Sequence, residues 1–269
     1  MTPFNLPIIS LTDTHENIIL QLQQACNDTG FFYITDHGIS EGLLHDVFQQ
    51  ARLFFDSDMS TKQSASFNRW YRGYSPMYNP KTGDMSKDRK EGFYVGRHYV
   101  PEDPLYDSSP FHGSNSMPNI SDLPNFQSTV MRYHNSVESL ALRVSSFIFN
   151  TLGLYGPEDL TKQPGNFDEP LNALRLIHYP AVPVDAKPYI LSDGTVDSVY
   201  GNGSHTDSGM VTILANDNVS GLQIYTNGKW YDVPQQSNCL LVNLADMLAI
   251  WTNNKYKSTK HRVIRPPGL

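Results

Sequence analysis

Cysteine is nearly absent from this chain: Cys26 and Cys239 are the only two in 269 residues. One falls in a helical pattern and the other in a strand-like one. Two thiols cannot build a disulfide framework or a four-ligand zinc site, which suits a reducing compartment. A concentrated basic region is also missing, since the formal net charge is -7 and Lys and Arg are scattered. That leaves no electrostatic footprint for nucleic acid or for an anionic membrane surface, so a small-molecule partner is expected. No apolar run approaches the length of a spanning helix, and "MTPFNLPIISL" at the start lacks a basic segment followed by a long apolar one. A signal peptide and a transmembrane helix are therefore not expected, and the location expected is the cytoplasm. Internal repeats and low-complexity linkers are missing too. What is present is 39% apolar and 12% aromatic residues, enough for a sizeable core.

Along the chain, "PIISL" reads as a short strand, and Ile18, Ile19, Leu22, Ala25 and Cys26 recur at helical spacing until Gly30 stops the helix. "GFFYITDHGIS" gives a strand and a turn. Ser40 is placed to cap a helix whose inner stripe is Leu43, Leu44, Val47, Phe48, Ala51 and Phe54. From Pro76 to Pro124 the residues are those of ordered loop, with "KDRKEGFYVG" as a strand-like island. A long amphipathic helix follows, carrying Phe126, Val130, Tyr133, Val137, Leu140, Ala141, Val144, Phe147 and Ile148 on one face. From Leu174 the chain becomes a series of short β-rich runs: "LRLIHY", "PYIL", "MVTIL", "GLQIY", "KWYDV", "CLLVNL", "MLAIW" and "KSTKHRVI". Such a series indicates an antiparallel sandwich or barrel. The fold class expected is α+β.

"GNGSHTDSGMVTIL" sets His205 and Asp207 two apart where a polar run meets a strand. Alternate strand residues share a face, so the pair can offer an imidazole and a carboxylate to one ion. A chance H-x-D is common in a chain with nine histidines, and the third ligand must come from elsewhere. His261, in "STKHRVI", lies in the same β-rich half. Two His and one Asp leave three positions of an octahedral metal open, which suits Fe(II) oxygenase chemistry; zinc hydrolysis is possible with the same ligands.

The stretch from His205 to Val263 carries, in order, H-x-D, G-L-Q, G-x-W, V-N-x-x-D and Y-K-S-x-x-H-R-V. Over its whole length it resembles the iron-binding core of the Fe(II)- and 2-oxoglutarate-dependent dioxygenases of the isopenicillin N synthase type. "LPIISL", "ACNDTGFFYITDHGIS", "RGYSP" and "KEGFY" resemble the N-terminal region of the same family in content and order. The resemblance implies a double-stranded β-helix, or jelly-roll, core over residues 126–269 behind an N-terminal region over residues 1–125. It implies Fe(II) held by His205, Asp207 and His261. Fe(II) and 2-oxoglutarate, with ascorbate as a further candidate, would oxidise a small organic molecule with molecular oxygen in a monomeric enzyme.

The family's N-Y-Y-P segment is "IHYP" here, so the resemblance gives Tyr179 the far carboxylate of 2-oxoglutarate while Ile177 replaces the usual Asn. The family also carries an R-x-S pair about ten residues beyond the distal histidine, where a planar guanidinium forks onto that carboxylate. This chain stops at "HRVIRPPGL", and Arg265 lies too near His261 to match. The expectation is a core lacking its last strand, with retained iron ligands and weakened 2-oxoglutarate binding. A 2-oxoglutarate-independent oxidase and a catalytically silent family member are the alternatives. The resemblance implies a pocket lined from the loop region near Tyr74 and Phe93 and from the β-barrel mouth, while the same aromatics read equally well as packing residues, and the "TDHGI" turn with His37 is expected to be structural.

Overall fold

A computed structural model of the chain describes residues 4–77, 88–154, 170–181, 189–190, 196–197 and 201–264. In chain order the elements are β1 (Ile8–Ser10), α1 (His15–Asp28), β2 (Phe31–Thr35), α2 (Glu41–Phe55), α3 (Met59–Ser64), β3 (Gly73–Ser75) and β4 (Glu91–Val95). Then come α4 (Phe126–Thr151), β5 (Leu174–His178), β6 (Tyr189–Ile190), β7 (Val196–Asp197), β8 (Asn202–His205) and β9 (Val211–Leu214). The chain continues with β10 (Leu222–Thr226), β11 (Lys229–Asp232), β12 (Leu240–Leu244), α5 (Asp246–Trp251) and β13 (His261–Val263). The chain divides into two units, Met1–Gly38 with Ser139–Phe167 and Ala181–Leu269, and Ile39–Glu138 with Asp168–Pro180.

The first unit holds two four-stranded sheets, ordered β1-β2-β12-β9 and β11-β10-β13-β8. Apart from the parallel β1–β2 pair, their ladders are antiparallel. Tyr33 and Leu241 of one sheet and Ile224 of the other share a buried cluster with Leu6, Phe31 and Val233. Each such side chain contributes roughly 1.5–3 kcal/mol by leaving water. β2 is buried at Phe31, Phe32, Tyr33 and Ile34 alike, as a strand covered on both faces should be. Its other neighbour is α1, which buries Ile18, Leu22, Ala25 and Cys26. Thr14 caps α1 by accepting from the Asn17 amide. At the far end Gly30, at φ +68°, turns the chain into β2; a Cβ there would meet the Lys257 carbonyl at 2.7 Å. Residues 139–151 of α4 bury Leu140, Val144, Ile148 and Phe149 in this unit, and Thr151 bonds the Tyr256 hydroxyl at 2.6 Å.

The second unit is built on the antiparallel sheet β3-β4-β5. Ser40 caps α2 by accepting from the Leu43 amide, as its position in the sequence suggests. Phe54 on α2 is the centre of an aromatic core, with ring centroids 4.8 Å from Phe93, 5.1 Å from Phe126 and 5.7 Å from Tyr74. Tyr74 and Phe93 are 3% and 0% exposed, which agrees with the packing reading of these two aromatics. A difference concerns "MLAIW", whose apolar run suggests a strand. It is the helix α5, because a short apolar run fits either element and Asp246 enters its first turn favourably.

Candidate metal centre

β8 and β13 are antiparallel neighbours in the first unit, with His205 directly opposite His261. Facing residues of such a ladder project to one side of the sheet, and the two imidazole centroids are 4.3 Å apart. Asp207 follows just beyond β8. Its Oδ1 lies 3.7 Å from His205 Nε2 and 3.6 Å from His261 Nε2. These separations are too long for hydrogen bonds. They fit three ligands of one ion, since bonds of about 2.1 Å place neighbouring donors roughly 3–4 Å apart. All three ligand atoms lie within 4.8 Å of one another.

Each ligand is oriented by a second contact. His205 Nδ1 sits 2.7 Å from the Gly203 carbonyl and His261 Nδ1 3.1 Å from the Thr259 carbonyl. A carbonyl can only accept, so each Nδ1 carries the proton and each Nε2 keeps its lone pair. Asp207 Oδ2 accepts from Thr212 Oγ1 at 2.5 Å and Asn243 Nδ2 at 2.9 Å, which leaves Oδ1 toward the histidines. Burial works to raise the Asp207 carboxyl, but the Asn243 and Thr212 hydrogen bonds, with His261 and His205 nearby, outweigh it and hold the group below its ordinary value. Burial lowers His261, with the Thr259 carbonyl and Asp207 opposing it only in part. His205 and Asp207 keep 34% and 20% of their side-chain surface, so the centre is open on one side.

α5 braces the loop that carries Asp207. The Asp246 amide donates to the Asp207 carbonyl at 2.8 Å, and the Ala245 and Met247 amides donate to Met210 and Gly209 at 2.9 and 3.0 Å. Thr206 Oγ1 donates to Asp246 Oδ2 at 3.1 Å. Two neutral nitrogens and one carboxylate, with their tautomers fixed and one side open, fit Fe(II) as a donor set.

Two family models match the chain: the non-haem dioxygenase in morphine synthesis N-terminal model over residues 6–120 and the 2OG-Fe(II) oxygenase superfamily model over residues 170–268. A 2-oxoglutarate-dependent dioxygenase of Didymella fabae is 34% identical over 93% of this chain and 75% of its own length. The chain belongs to the 2OG-Fe(II) oxygenase superfamily. A second relative, the 2-oxoglutarate-dependent dioxygenase citB of Monascus ruber, is 34% identical over 97% of this chain and 80% of its own length. A 2OG-Fe(II) oxygenase family protein of Caulobacter crescentus superposes with a TM-score of 0.79 at 26% identity, covering 98% of this chain and 81% of that one. A full-length Neurospora crassa protein crystallised with alpha-KG and 5-formyluracil gives 0.78 at 26%, covering 100% and 80%. This oxygenase has the jelly-roll fold class and is an Fe(II)- and 2-oxoglutarate-dependent dioxygenase acting on a small organic substrate with oxygen.

Of the residues singled out in the sequence, His205, Asp207 and His261 come together. Tyr179 is half-buried at the end of β5, in the second unit, and Ile177 before it is 40% exposed. His37 follows Asp36, a turn residue at φ +53°, at the end of β2. His134 is buried between Asn135 and Asn172. Arg265 lies outside the described residues. Asn243, Thr212 and Asp246 draw no role from the sequence alone, although Asn243 and Asp246 are the N and D of V-N-x-x-D. Among the described residues no helix is long and apolar enough to cross a membrane.

Proposed function

We propose that His205, Asp207 and His261 hold the Fe(II) of this dioxygenase, and that Tyr179 donates a hydrogen bond to the far carboxylate of 2-oxoglutarate. The observation that carries the metal assignment is the placement of one carboxylate oxygen 3.6–3.7 Å from two lone-pair imidazole nitrogens, with every other polar atom of the three side chains engaged. Tyr179 rests on the "IHYP" segment alone. When bound, Fe(II) with 2-oxoglutarate and oxygen supplies the oxidant, the co-substrate leaving as succinate and carbon dioxide while one oxygen atom goes to the substrate C–H bond in a hydroxylation.

The chain's own part is to present the open side of this centre and to hold its ligands in one orientation. Asn243 and Thr212 tie up Oδ2, so Asp207 offers Oδ1; the carbonyls of Gly203 and Thr259 hold the imidazoles as acceptors toward the centre. The division into an N-terminal region (1–125) and an oxygenase core (126–269) is part of the same reading, as are a monomeric state, a cytoplasmic location, ascorbate as a supporting reductant, and the lack of a nucleic-acid or membrane partner. The relatives named for 2-oxoglutarate dependence favour this over an oxidase that does without it.

Oxygen uptake with and without 2-oxoglutarate, alongside succinate detection, tests the reaction. Stimulated uptake with succinate formation is expected, and His205→Ala is expected to abolish both; undiminished turnover in that variant would remove the metal assignment.

A further inference from the structure

β8 and β13 do not keep one register. His261 pairs with His205, but Val263, two residues on, pairs with Asn202, three residues back. The additional residue on β8 shifts the register, and an extra residue in one strand of a pair re-aims the side chains around it. His261 and Val263 share a face as alternate strand residues. Asn202 and His205, which oppose them, are therefore brought to a common face despite their odd spacing. The backbones are close here, since a Cβ on Gly201 would meet the Val263 carbonyl at 2.5 Å. A larger residue at that position would push the two strands apart.

The consequence is a short contact at the centre: Asn202 Nδ2 lies 3.2 Å from His205 Nε2. That nitrogen is the atom proposed to bind the metal, and it is a lone pair because the Nδ1 proton goes to the Gly203 carbonyl. Only the NH2 end of an amide matches a lone pair. Asn202 thus brings a neutral donor to the ligand ring, where Asp207 is the only charged side chain of the triad. An oxygen ligand seated beside His205 comes within reach of that donor.

We infer that Asn202 is a positioning residue for the co-substrate, its Nδ2–H donating to the 2-oxo acid end of 2-oxoglutarate held next to His205. The inference rests on the proposed His205, Asp207 and His261 triad. A neutral amide suits the task better than Lys or Asp would: an ammonium would repel the cation, and a carboxylate would repel the co-substrate and compete with it for the metal.

The test uses the anaerobic protein with Fe(II), titrated with 2-oxoglutarate and followed by its metal-to-ligand charge-transfer band, with Mn(II) affinity measured separately by calorimetry. Asn202→Ala is expected to weaken 2-oxoglutarate roughly five- to tenfold, the worth of one hydrogen bond, and to move the band maximum while Mn(II) affinity holds within about twofold. Asn202→Asp, nearly isosteric, is expected to weaken it further and serves if the alanine variant fails to fold. Unchanged 2-oxoglutarate affinity and an unmoved band in a folded variant would overturn the inference. So would a parallel loss of Mn(II), which would make Asn202 a support for His205 alone. A wild-type protein that shows no band is a different result, counting against the proposed function itself.

Discussion

Two carboxylates, Asp207 in the first unit and Glu91 in the second, are each surrounded by imidazole and hydrogen-bond donors, yet one is open and the other closed. Glu91 is saturated. Lys62 Nζ lies 3.4 and 3.2 Å from its two oxygens, the Tyr74 hydroxyl 2.6 Å from Oε2, and His178 Nδ1 2.8 Å from Oε1. Lys62 also donates to the Phe55 carbonyl at 2.7 Å, and the Phe55 ring stacks on His178 at 5.2 Å. Among the described residues, Lys62, Tyr74 and His178 all stand at hydrogen-bonding distance from the one carboxylate. Asp207, by contrast, spends one oxygen on Asn243 and Thr212 and holds the other 3.6–3.7 Å from two imidazoles. That spacing suits a shared cation and not a hydrogen bond. The same residue types thus form an ion-paired cluster in one unit and, in the other, the geometry proposed to hold a metal, and the distances separate the two arrangements.

The largest effect should come from breaking the closed cluster. Lys62→Met takes the Lys62 cation from Glu91, whose side chain is 8% exposed and keeps Tyr74 and His178 as partners, and is expected to cost about 3 kcal/mol in urea unfolding. Lys62→Met with Glu91→Gln removes both charges and should recover part of that loss. Equal losses in the single and double variants would mean that the pair is not energetically closed.

A smaller effect, of another kind, belongs to the open carboxylate. Asn243→Ala leaves Oδ2 of Asp207 held by Thr212 alone and is expected to weaken Mn(II) roughly 10-fold, measured by calorimetry. Unchanged affinity would show that Asp207 needs no such orientation.

The smallest effect concerns acid. Burial pushes the Glu91 carboxyl up, but the hydrogen bonds from His178 and Tyr74 and the charge of Lys62 outweigh burial and hold it below its ordinary value. A depressed folded-state value means that the stability Glu91 contributes is complete above the ordinary carboxylate range and drains as pH falls through the folded-state value. Between about pH 7 and about pH 3, the melting temperature should fall further in the wild type than in Glu91→Gln. Parallel falls would contradict the account.

The motif of the open site is legible in the sequence, because His205, Asp207 and His261 stand in spaced strings whose order a strand-rich fold can preserve. So is Ser40 as a helix cap, which depends only on its neighbours. The closed cluster is not. Lys62, Tyr74, Glu91 and His178 sit on α3, β3, β4 and β5, and nothing local in those segments announces that they meet. Tyr74 and Phe93 read in sequence equally as pocket or packing aromatics, because burial in a core and burial in a cleft select the same residues. "MLAIW" reads as a strand since so short an apolar run carries no period that decides between strand and helix. Asn202 is invisible for a subtler reason: its face is set by a shift in the β8–β13 register, and register is a property of two strands.

The contrast between the two carboxylates is tested most directly by one paired measurement: Mn(II) affinity, by calorimetry, of Asp207→Asn and Glu91→Gln beside the wild type. The account predicts that Asp207→Asn loses measurable binding while Glu91→Gln binds as the wild type does at a temperature where both are folded. Retained binding in Asp207→Asn would contradict it.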